Sequence, residues 1–462
     1  MNERLFGTDG IRGLANRHPM TAELALRVGC AVAYVFGKSG KSQTFLIGKD
    51  TRRSCYMIEN ALTAGLCSMG GRVLLTGPLP TPGVSYIMRS LRCDGAIMIS
   101  ASHNPFHDNG IKIFGADGYK IPDSLEAEIA RLVYSEELDN GRPTGEGVGT
   151  AKRIDDAVGR YIEFAKATFP KGMRLDGLRV VVDCANGAAY KAGPNALAEL
   201  GAEVIAIGNQ PNGLNINDTC GAVYPAEMRA TVIREGADVG IAFDGDGDRI
   251  AMADEHGRLL DGNAILAVLG IDMLERDVLP HRTVVTTIMA NGGLEEALAG
   301  HGGRVIRTGV GDRPVVEAMK QGGFTLGGEP SGHMVMLEHN TTGDALIAAL
   351  QMLATMIRRD KPLSALAQAY REMPEAHRKI PRNDVGSLSE TWLAEAARQF
   401  EEKLGGQGRV VARPSGTEPV IRLMVQHPEP RHAERLADEF TAFLLATLKE
   451  RAGEHAHESE SA

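Results

Sequence analysis

Short apolar runs alternate with amphipathic stretches in the first part of the chain. Apolar runs begin at Thr44 (TFLIG), Arg72 (RVLLTG) and Gly95 (GAIMIS), and helical periodicity fills the intervals at about 54–69 and 81–90. Runs of this length are typical of buried strands, and strands that alternate with helices predict parallel neighbours joined by crossover helices. The pattern therefore predicts a β-α-β-α-β unit.

The same order of elements recurs twice further along the chain. The second unit contains LRVVVD, AEVIAIG and ADVGIAF, and the third contains TVVTTIM, RVIRTG and FTLGG, with helical stretches between the runs. After a helical stretch near 345–358 the character changes, and residues 382–450 follow the order helix, strand, loop, strand and helix. We therefore predict three related α/β units and a smaller C-terminal α+β domain.

The segments between these units suggest the domain boundaries. Residues 135–153 are rich in glycine, proline and charge, which is typical of an interdomain linker. The C-terminal segment RAGEHAHESESA lacks apolar residues that could pack, so it is predicted to be disordered. The predicted domains are 1–150, 151–255, 256–370 and 371–450, followed by the disordered tail at 451–462.

The last strand of each unit leads into a polar loop. These loops are SASHNP at 100–105, DGDGDR at 244–249 and GEPSGH at 328–333. In α/β sheets, ligands bind at the carboxyl ends of the strands. The three loops are therefore expected to converge on one cleft between the domains.

DGDGDR places Asp244, Asp246 and Asp248 at alternate positions. Carboxylates crowded into one loop repel each other, and a hard cation such as Mg²⁺ removes this repulsion. A tight Asp-Gly turn and an EF-hand calcium loop are the alternatives, and Glu255 does stand at the twelfth position of such a loop. However, Arg249 occupies the sixth position, where the calcium loop needs glycine, and the flanks resemble strands. We predict a divalent metal site, with Arg249 placed to hold a phosphoryl group.

SASHNP places Ser102 and His103 directly after a buried strand. A serine here could simply cap a turn, or it could belong to a Ser/His/Asp hydrolase, although the G-x-S-x-G pattern is absent. A serine beside a metal loop favours phosphoryl transfer, because the hydroxyl can carry the phosphoryl group while the cation neutralises its oxygens. Lys112, which follows shortly, is a candidate for catalysis or for pairing with phosphate.

GEPSGH contains side chains suited to a sugar. Glu329 and Ser331 can bind hydroxyl groups, and His333 can exchange a proton near neutral pH. A simple Gly-Glu-Pro turn explains this loop equally well.

A fourth loop, RPSGTEP at 413–419, lies between two predicted strands, RVVAR and VIRLMV. The guanidinium groups of Arg413 and Arg422 match the geometry of phosphate. Ser415, Gly416 and Thr417 add hydroxyl and backbone N–H groups. We interpret this loop as a phosphate site, with a plain hairpin loop as the alternative.

Composition narrows the class of partner. The net charge is −9 and there is no Lys/Arg-rich run, which argues against nucleic acid. No apolar run approaches the ~18 residues of a membrane span, and the first residues do not resemble a signal peptide. The six cysteines lack C-x-x-C spacing and are interpreted as reduced thiols. We predict a cytoplasmic protein that binds neither nucleic acid nor membrane.

Taken in order, ASHNP, DGDGDR, GE-x-SGH and RPSGTEP resemble the α-D-phosphohexomutase superfamily over about residues 3–450. FGTDGIRG, GVGDRPVVEAM and EHNTTGD are similar to its phosphoglucosamine mutase branch. The resemblance implies an α/β fold of four domains around a central cleft: three related α/β units with mixed sheets and a C-terminal α+β domain. It also implies interconversion of glucosamine 6-phosphate and glucosamine 1-phosphate through a phosphoserine and a 1,6-bisphosphate, feeding UDP-N-acetylglucosamine and cell-wall precursor synthesis.

The resemblance further implies cofactors, a partner and residue roles. One Mg²⁺ per subunit is expected, with hexose 1,6-bisphosphate or autophosphorylation as activator. The expected partner is a phosphosugar, and a homodimer is a candidate because relatives are often dimers. Ser102 matches the phosphorylated serine, which with Asp244, Asp246 and Asp248 holds the metal. The catalytic set comprises Ser102, His103, Lys112, Arg249 and His333. The substrate-binding set comprises Arg12, Thr308, Gly309, Glu329, Ser331, Arg413, Ser415, Gly416, Thr417 and Arg422.

One residue departs from the branch. Pro330 stands where the branch usually carries glutamine, and proline fixes φ and removes a backbone donor. The preference among sugars is therefore the open point, with phosphoglucomutase or phosphomannomutase as alternatives. A non-catalytic phosphosugar-binding relative would be expected to lose Ser102 or a metal-loop aspartate. A metal-dependent phosphatase would release inorganic phosphate.

Overall fold

The structure is a computed structural model that divides into two compact units. One comprises Met1–Thr287 and His301–Ala369, and the other comprises Ile288–Gly300 and Tyr370–Ala462. The residues that the structure describes are 5–7, 9–37, 43–140, 142–381, 390–402, 404, 408–415 and 420–460.

The first sheet has six strands: β1 (Ile11–Leu14), β2 (Thr44–Lys49), β3 (Arg72–Pro78), β4 (Gly95–Ile99), β5 (Asp108–Gly115) and β6 (Ala151–Arg153). Their order is β1-β5-β4-β2-β3-β6. The helices of this domain are α1 (Ala22–Phe36), α2 (Cys55–Ser68), α3 (Thr81–Ser90) and α4 (Asp123–Val133). The segment predicted as a linker ends in β6, so this sheet extends three residues past the predicted boundary at residue 150.

The second sheet has five strands: β7 (Arg179–Asp183), β8 (Glu203–Ile207), β9 (Val239–Phe243), β10 (Ile250–Asp254) and β11 (Leu259–Leu260). Their order is β11-β10-β9-β7-β8. The helices of this domain are α5 (Ala157–Ala167), α6 (Ala192–Glu199) and α7 (Ala226–Glu235).

The third sheet has four strands: β12 (Thr283–Thr287), β13 (Arg304–Thr308), β14 (Leu326–Gly328) and β15 (Met334–Met336), in the order β13-β12-β14-β15. The helices of this part of the chain are α8 (Gly262–Glu275), α9 (Gly293–Ala299), α10 (Asp312–Gly322), α11 (Ala345–Arg359) and α12 (Leu363–Ala367). Almost every residue of α8 is buried, in keeping with its hydrophobic sequence on all sides.

The three sheets share one arrangement. In each, a central strand lies between two parallel neighbours, and the last of these is followed by an antiparallel strand: β3-β2-β4-β5, β8-β7-β9-β10 and β13-β12-β14-β15. This confirms the threefold recurrence and the mixed sheets. The polar loops singled out in the sequence connect the last parallel strand to the antiparallel one in all three domains.

The second unit contains a three-stranded antiparallel sheet. Its elements are β16 (Glu375–Pro381), α13 (Glu390–Glu402), β17 (Arg409–Pro414), β18 (Val420–Gln426) and α14 (Pro430–Glu460), with strand order β16-β18-β17. β16 was not predicted. The helix α14 continues to Glu460, whereas the sequence predicted a disordered tail from Arg451; alanine, glutamate and arginine in this segment favour helix.

None of the helices in the described part of the chain has the length and apolar content that spanning a bilayer requires. All six cysteines are free thiols, four of them buried and two half-buried.

Candidate active site

The loops after β4, β9 and β14 meet, as their positions predicted. The Ser102 hydroxyl donates to Asp244 Oδ2 (2.7 Å), which joins the first two loops. Thr81 at the start of α3 donates through Oγ1 to Asp246 Oδ2 (2.6 Å). The backbone N–H of Ile250 donates to the carbonyl of Gly332 (3.0 Å), which joins the second loop to the third. The first three domains therefore build one site.

Two glycines make this close approach possible. A Cβ on Gly245 would lie 2.6 Å from the carbonyl oxygen of Ser102. A Cβ on Gly343 would lie 2.4 Å from Nε2 of His333. Any side chain at either position would push a candidate catalytic group aside.

Ser102 is buried and lies between a carboxylate and a guanidinium. Besides its bond to Asp244, its Oγ accepts from Arg249 Nη1 (2.8 Å), and its backbone N–H donates to Ser100 Oγ (2.9 Å). Its φ is +50°, in the left-handed region that non-glycine residues rarely adopt. The surrounding bonds hold the hydroxyl in one direction.

Asp244, Asp246 and Asp248 form a buried cluster that fits a cation. One oxygen from each lies within 4.8 Å of the others, and no other such group was found among the described residues. Oδ1 of Asp246 and Oδ1 of Asp248 are buried, and neither has a hydrogen-bond partner among the described residues. Burial, together with the charges of Asp248 and Asp246, raises the pKa of Asp244 well above its usual value. A cation would bind the unpaired oxygens and remove this repulsion.

Lys112 is fully buried beside the triad. Its Nζ donates to Asp246 Oδ2 (2.8 Å) and Asp248 Oδ2 (3.4 Å), and it lies 3.8 Å from Asp9 Oδ2. Burial lowers the pKa of Lys112, but the three carboxylates outweigh burial and raise it above its ordinary value. Lys112 is therefore a fixed cation within the site.

His103 is held neutral by its surroundings. Burial and the charges of Arg249 and Arg12 lower its pKa to about 4. Arg249 Nη1 lies 2.5 Å from His103 Nδ1; because a guanidinium can only donate, Nδ1 accepts and the proton of the neutral ring is on Nε2. Burial lowers the pKa of Arg249, but Asp248 and Asp244 outweigh it and raise the pKa.

His333 lies between two carboxylates. Its Nε2 is 3.9 Å from Asp248 Oδ2 and 3.9 Å from Asp312 Oδ2. Within the described part of the chain neither ring nitrogen has a hydrogen-bond partner, although the ring is buried. This imidazole is therefore available to exchange a proton with a bound molecule.

The predicted sugar-binding loop forms a tight turn. Gly332 N–H donates to the carbonyl of Glu329 (3.0 Å), which places Pro330 at the second turn position, where proline is favoured. Proline in place of the glutamine thus preserves the backbone of the loop. Glu329 is half-buried and accepts from the N–H of Gly311 (3.2 Å), and Ser331 is exposed.

Three further predicted substrate residues belong to the same unit. Arg12 is half-buried and forms an ion pair with Asp9. Thr308 donates through Oγ1 to the carbonyl of Thr286 (3.3 Å), and Gly309 is exposed. No bond in the described residues joins Thr308 or Gly309 directly to Ser102 or the aspartates.

The C-terminal loop belongs to the second unit. Arg413 on β17 and Arg422 on β18 are directly opposite each other in the sheet register. Opposite residues of an antiparallel pair lie on the same face of the sheet, so the two guanidinium groups face the same side, and such groups match the geometry of phosphate. Ser415 is buried and its N–H donates to the carbonyl of Val420 (2.8 Å). Gly416 and Thr417 lie outside the described residues.

Comparison with known proteins places this geometry in a family. Residues 3–140, 159–257, 261–373 and 363–443 match the phosphoglucomutase/phosphomannomutase alpha/beta/alpha domains I, II and III and the C-terminal domain. A phosphoglucosamine mutase of Anaeromyxobacter dehalogenans is 52% identical over 97% of this chain and 100% of its own length. The chain belongs to the phosphoglucosamine mutase family. A second member, from Magnetococcus marinus, is 54% identical over 94% of this chain and 90% of its own length.

The family assignment agrees with the fold. A phosphoglucomutase/phosphomannomutase family protein from Burkholderia thailandensis has a TM-score of 0.79 at 23% identity, covering 96% of this chain and 97% of its own. The chain is therefore an isomerase that transfers a phosphoryl group within its substrate, as the sequence predicted.

The site contains a charged bridge that was not predicted from the sequence, formed by Lys120 between Asp9 and Asp312. Lys120 Nζ donates to Asp9 Oδ1 (2.6 Å) and lies 2.7 Å from Asp312 Oδ2. Burial raises the pKa of both carboxyls, but the nearby cations outweigh burial and lower both values. Asp9 contacts Arg12 and lies near Lys112, while Asp312 lies near His333. Through Asp9 and Asp312, Lys120 thus links Arg12, Lys112 and His333, which are three of the predicted site residues.

Lys120→Met is expected to destabilise the protein by about 1.5–3 kcal/mol, because two half-buried carboxylates lose the cation that they share, while Arg12 and Lys112 still face Asp9. Denaturant unfolding at pH 7 measures this. Because the folded pKa values of Asp9 and Asp312 are lowered, their contribution exists above the unfolded value of about 3.9 and is lost as pH falls through the folded values. The difference between wild type and variant should therefore shrink below about pH 4. Equal stability at pH 7 would contradict a structural role for the bridge.

Proposed function

We propose that this chain interconverts glucosamine 6-phosphate and glucosamine 1-phosphate, with Ser102 as the covalent carrier of the phosphoryl group. One observation supports this most strongly: the buried Ser102 hydroxyl contacts both a carboxylate of the triad and Arg249. A nucleophile in that position can carry a phosphoryl group and transfer it to a substrate, while nearby cations and a bound metal ion stabilise the phosphoryl oxygens.

We further propose that Asp244, Asp246 and Asp248 hold one Mg²⁺ per subunit, together with an oxygen of phosphorylated Ser102. Mg²⁺ prefers a few carboxylate and phosphate oxygens, which is the set available here. When bound, the ion neutralises charge on the transferring phosphoryl group. A phosphoserine beside three carboxylates would otherwise be strongly repelled.

In the first half-reaction, the bond between Ser102 Oγ and phosphorus breaks while the C1 hydroxyl of glucosamine 6-phosphate bonds to phosphorus. The hydroxyl proton passes to His333, whose ring nitrogens are available. Arg249 and the fixed cation of Lys112 stabilise the phosphoryl oxygens during transfer. The 1,6-bisphosphate then turns around, its C6 phosphoryl group returns to Ser102, and the proton returns to O6. Glucosamine 1-phosphate leaves.

The remaining contacts select the substrate. Glu329 and Ser331 bind sugar hydroxyls, and Arg12, Thr308 and Gly309 complete the substrate contacts. For the C-terminal loop the assignment rests on its sequence and on the opposed pair of arginines: Arg413, Ser415, Gly416, Thr417 and Arg422 bind the phosphate that is not being transferred.

Arg422→Ala is expected to raise KM for the sugar phosphate by about 10- to 100-fold, which is the value of a charge-assisted bond to phosphate. The kcat should change much less, because this phosphate is remote from the transfer. Steady-state kinetics measures both constants. Arg378→Ala is the matched control, since Arg378 pairs with Glu434 and Asp438 near the surface of the same unit. An unchanged KM would remove Arg422 from the phosphate site.

The sugar preference is tested by phosphorus NMR. The protein, Mg²⁺ and a trace of hexose 1,6-bisphosphate are mixed with glucosamine 6-phosphate, glucose 6-phosphate or mannose 6-phosphate. Glucosamine 1-phosphate is expected to form fastest. Faster turnover of glucose or mannose phosphate would contradict the assignment, and a Pro330→Gln variant would then show whether that position sets the preference. Release of inorganic phosphate in step with substrate loss would indicate a phosphatase instead.

Before the first turnover, Ser102 is proposed to be phosphorylated by hexose 1,6-bisphosphate or by autophosphorylation. The homodimer and the cytoplasmic location expected from the sequence stay predictions.

A further inference from the structure

A buried guanidinium lies beneath the loop that carries Ser102. Arg52 has no exposed surface, and its Nη2 donates to the carbonyl oxygens of Ser102 (2.9 Å) and Asn104 (2.8 Å). Its Nη1 donates to the carbonyl oxygens of Pro105 and Asp108. One side chain thus binds four backbone carbonyls, three in the turn between β4 and β5 and one at the first residue of β5.

The charge of Arg52 is compensated beside the same loop. Asp50 accepts from Arg52 Nε (2.8 Å) and from its backbone N–H (2.9 Å), and it also accepts from the hydroxyl of Ser100 (2.6 Å). Ser100 Oγ in turn accepts from the N–H of Ser102. A buried guanidinium that is paired in this way can hold carbonyls firmly, since charge-assisted hydrogen bonds are the strong ones.

A second side chain reaches the same two carbonyls from another domain. Asn217, in the connection between β8 and α7, donates through Nδ2 to the carbonyl oxygens of Ser102 (2.9 Å) and Asn104 (3.0 Å). Asn217 is buried, and its own N–H donates to the carbonyl of Ala185 (2.9 Å). Ser102 and Asn104 are therefore each held by Arg52 from the first domain and by Asn217 from the second.

Ser102 needs such restraint. Its left-handed backbone is a conformation that a non-glycine residue keeps only when its surroundings over-determine it. Relaxation of this turn would move Oγ away from Asp244 and Arg249, both of which it now contacts.

We propose that Arg52 and Asn217 are positioning residues for Ser102, which together fix the loop so that Oγ meets the metal loop. This inference rests on the proposed function, in which Ser102 carries the phosphoryl group. Among the described residues, neither side chain forms a hydrogen bond with a carboxylate of the triad. Their loss should therefore slow transfer without weakening the binding of substrate.

The decisive variants are Asn217→Ala and the near-isosteric Asn217→Asp, which keeps the shape of the side chain but removes both donors. Asn215→Ala is the matched control, because in the described part of the chain the Asn215 side chain bonds only to Gln210 and Asn212 of its own connection. Arg52→Lys tests the other partner, since it keeps the charge but loses the forked donors.

Steady-state kinetics and deuterium uptake of the peptide spanning residues 100–106 are measured on each full-length variant. Both Asn217 variants are expected to lose about 10- to 100-fold in kcat with KM within about twofold, the cost of a displacement on the order of 1 Å. Uptake should rise, and Asn215→Ala should match wild type in both.

A folded Asn217→Ala protein with kcat within about twofold of wild type overturns the proposal. If the wild-type protein itself isomerises no sugar phosphate, the proposed function fails, and the uptake of the 100–106 peptide still decides whether Asn217 fixes the loop. Uptake equal to wild type in that case overturns the positioning role as well.

Discussion

Ser102→Ala is expected to lower the rate of isomerisation by about 10⁴-fold or more, since it removes the atom to which the phosphoryl group is bonded. The environment of Ser102 explains why no neighbour can take over. Asp244 and Arg249, which contact Oγ, are a predicted metal ligand and a cation. His103 is neutral, but its Nδ1 is directed at Arg249 and not at a substrate.

The control for this variant is Ser124→Ala, which alters an exposed serine of α4 in the same domain and should leave the rate unchanged. Ser102→Ala should still bind the sugar phosphate, because the expected substrate contacts lie elsewhere. Intact-mass measurement after incubation with hexose 1,6-bisphosphate should show an added phosphoryl group on wild type and none on the variant. A variant rate within about tenfold of wild type would exclude Ser102 as the carrier.

Asp248→Asn is expected to raise the Mg²⁺ concentration needed for half-maximal activity by about 100-fold or more, because a ligand carboxylate becomes a neutral amide. Asp248 is the cleanest member of the triad to change. Among the described residues its one hydrogen bond from a side chain is the long one from Lys112 (3.4 Å), whereas Asp244 binds Ser102 and Asp246 binds both Thr81 and Lys112 at 2.6–2.8 Å. The substitution is isosteric, so packing is largely kept.

Thermal unfolding separates metal binding from catalysis in this variant. A ligand that binds only the folded state raises its stability by mass action, so Mg²⁺ should raise the Tm of wild type and have little effect on Asp248→Asn. Asp218→Asn, which changes an exposed aspartate of the same domain, should respond like wild type. An equal Mg²⁺ response in all three proteins would place the metal elsewhere.

The repeated architecture was predictable because each strand and each polar loop is marked by a few consecutive residues. The parallel strands β2, β4, β7, β9, β12 and β14 are apolar runs, and the polar loops begin where the last parallel strand of each unit ends. β16 was missed because EAHRKIP buries only Ala376 and Ile380 along a partly exposed strand and contains no apolar run. The two-sided burial that marks β4 is absent there.

In the candidate site, only the residues that lie in short local motifs could be singled out from the sequence. The aspartates and the serine stand out because each motif lies within a few residues of sequence. Lys120 and Asp312 are 192 positions apart, and Asn217 lies 115 positions from Ser102. Such pairs meet only when the domains fold together, and each residue alone resembles an ordinary surface or turn residue. Their roles could be recognised only from the structure.

Single-turnover transfer tests the central claim most directly. Protein carrying a ³²P-labelled phosphoryl group on Ser102 is mixed with glucosamine 6-phosphate and Mg²⁺ and then quenched at short times. The account predicts that the label leaves Ser102 and appears first in the 1,6-bisphosphate and then in glucosamine 1-phosphate, without stoichiometric release of inorganic phosphate. Label that remains on Ser102, or that appears as inorganic phosphate, would contradict it.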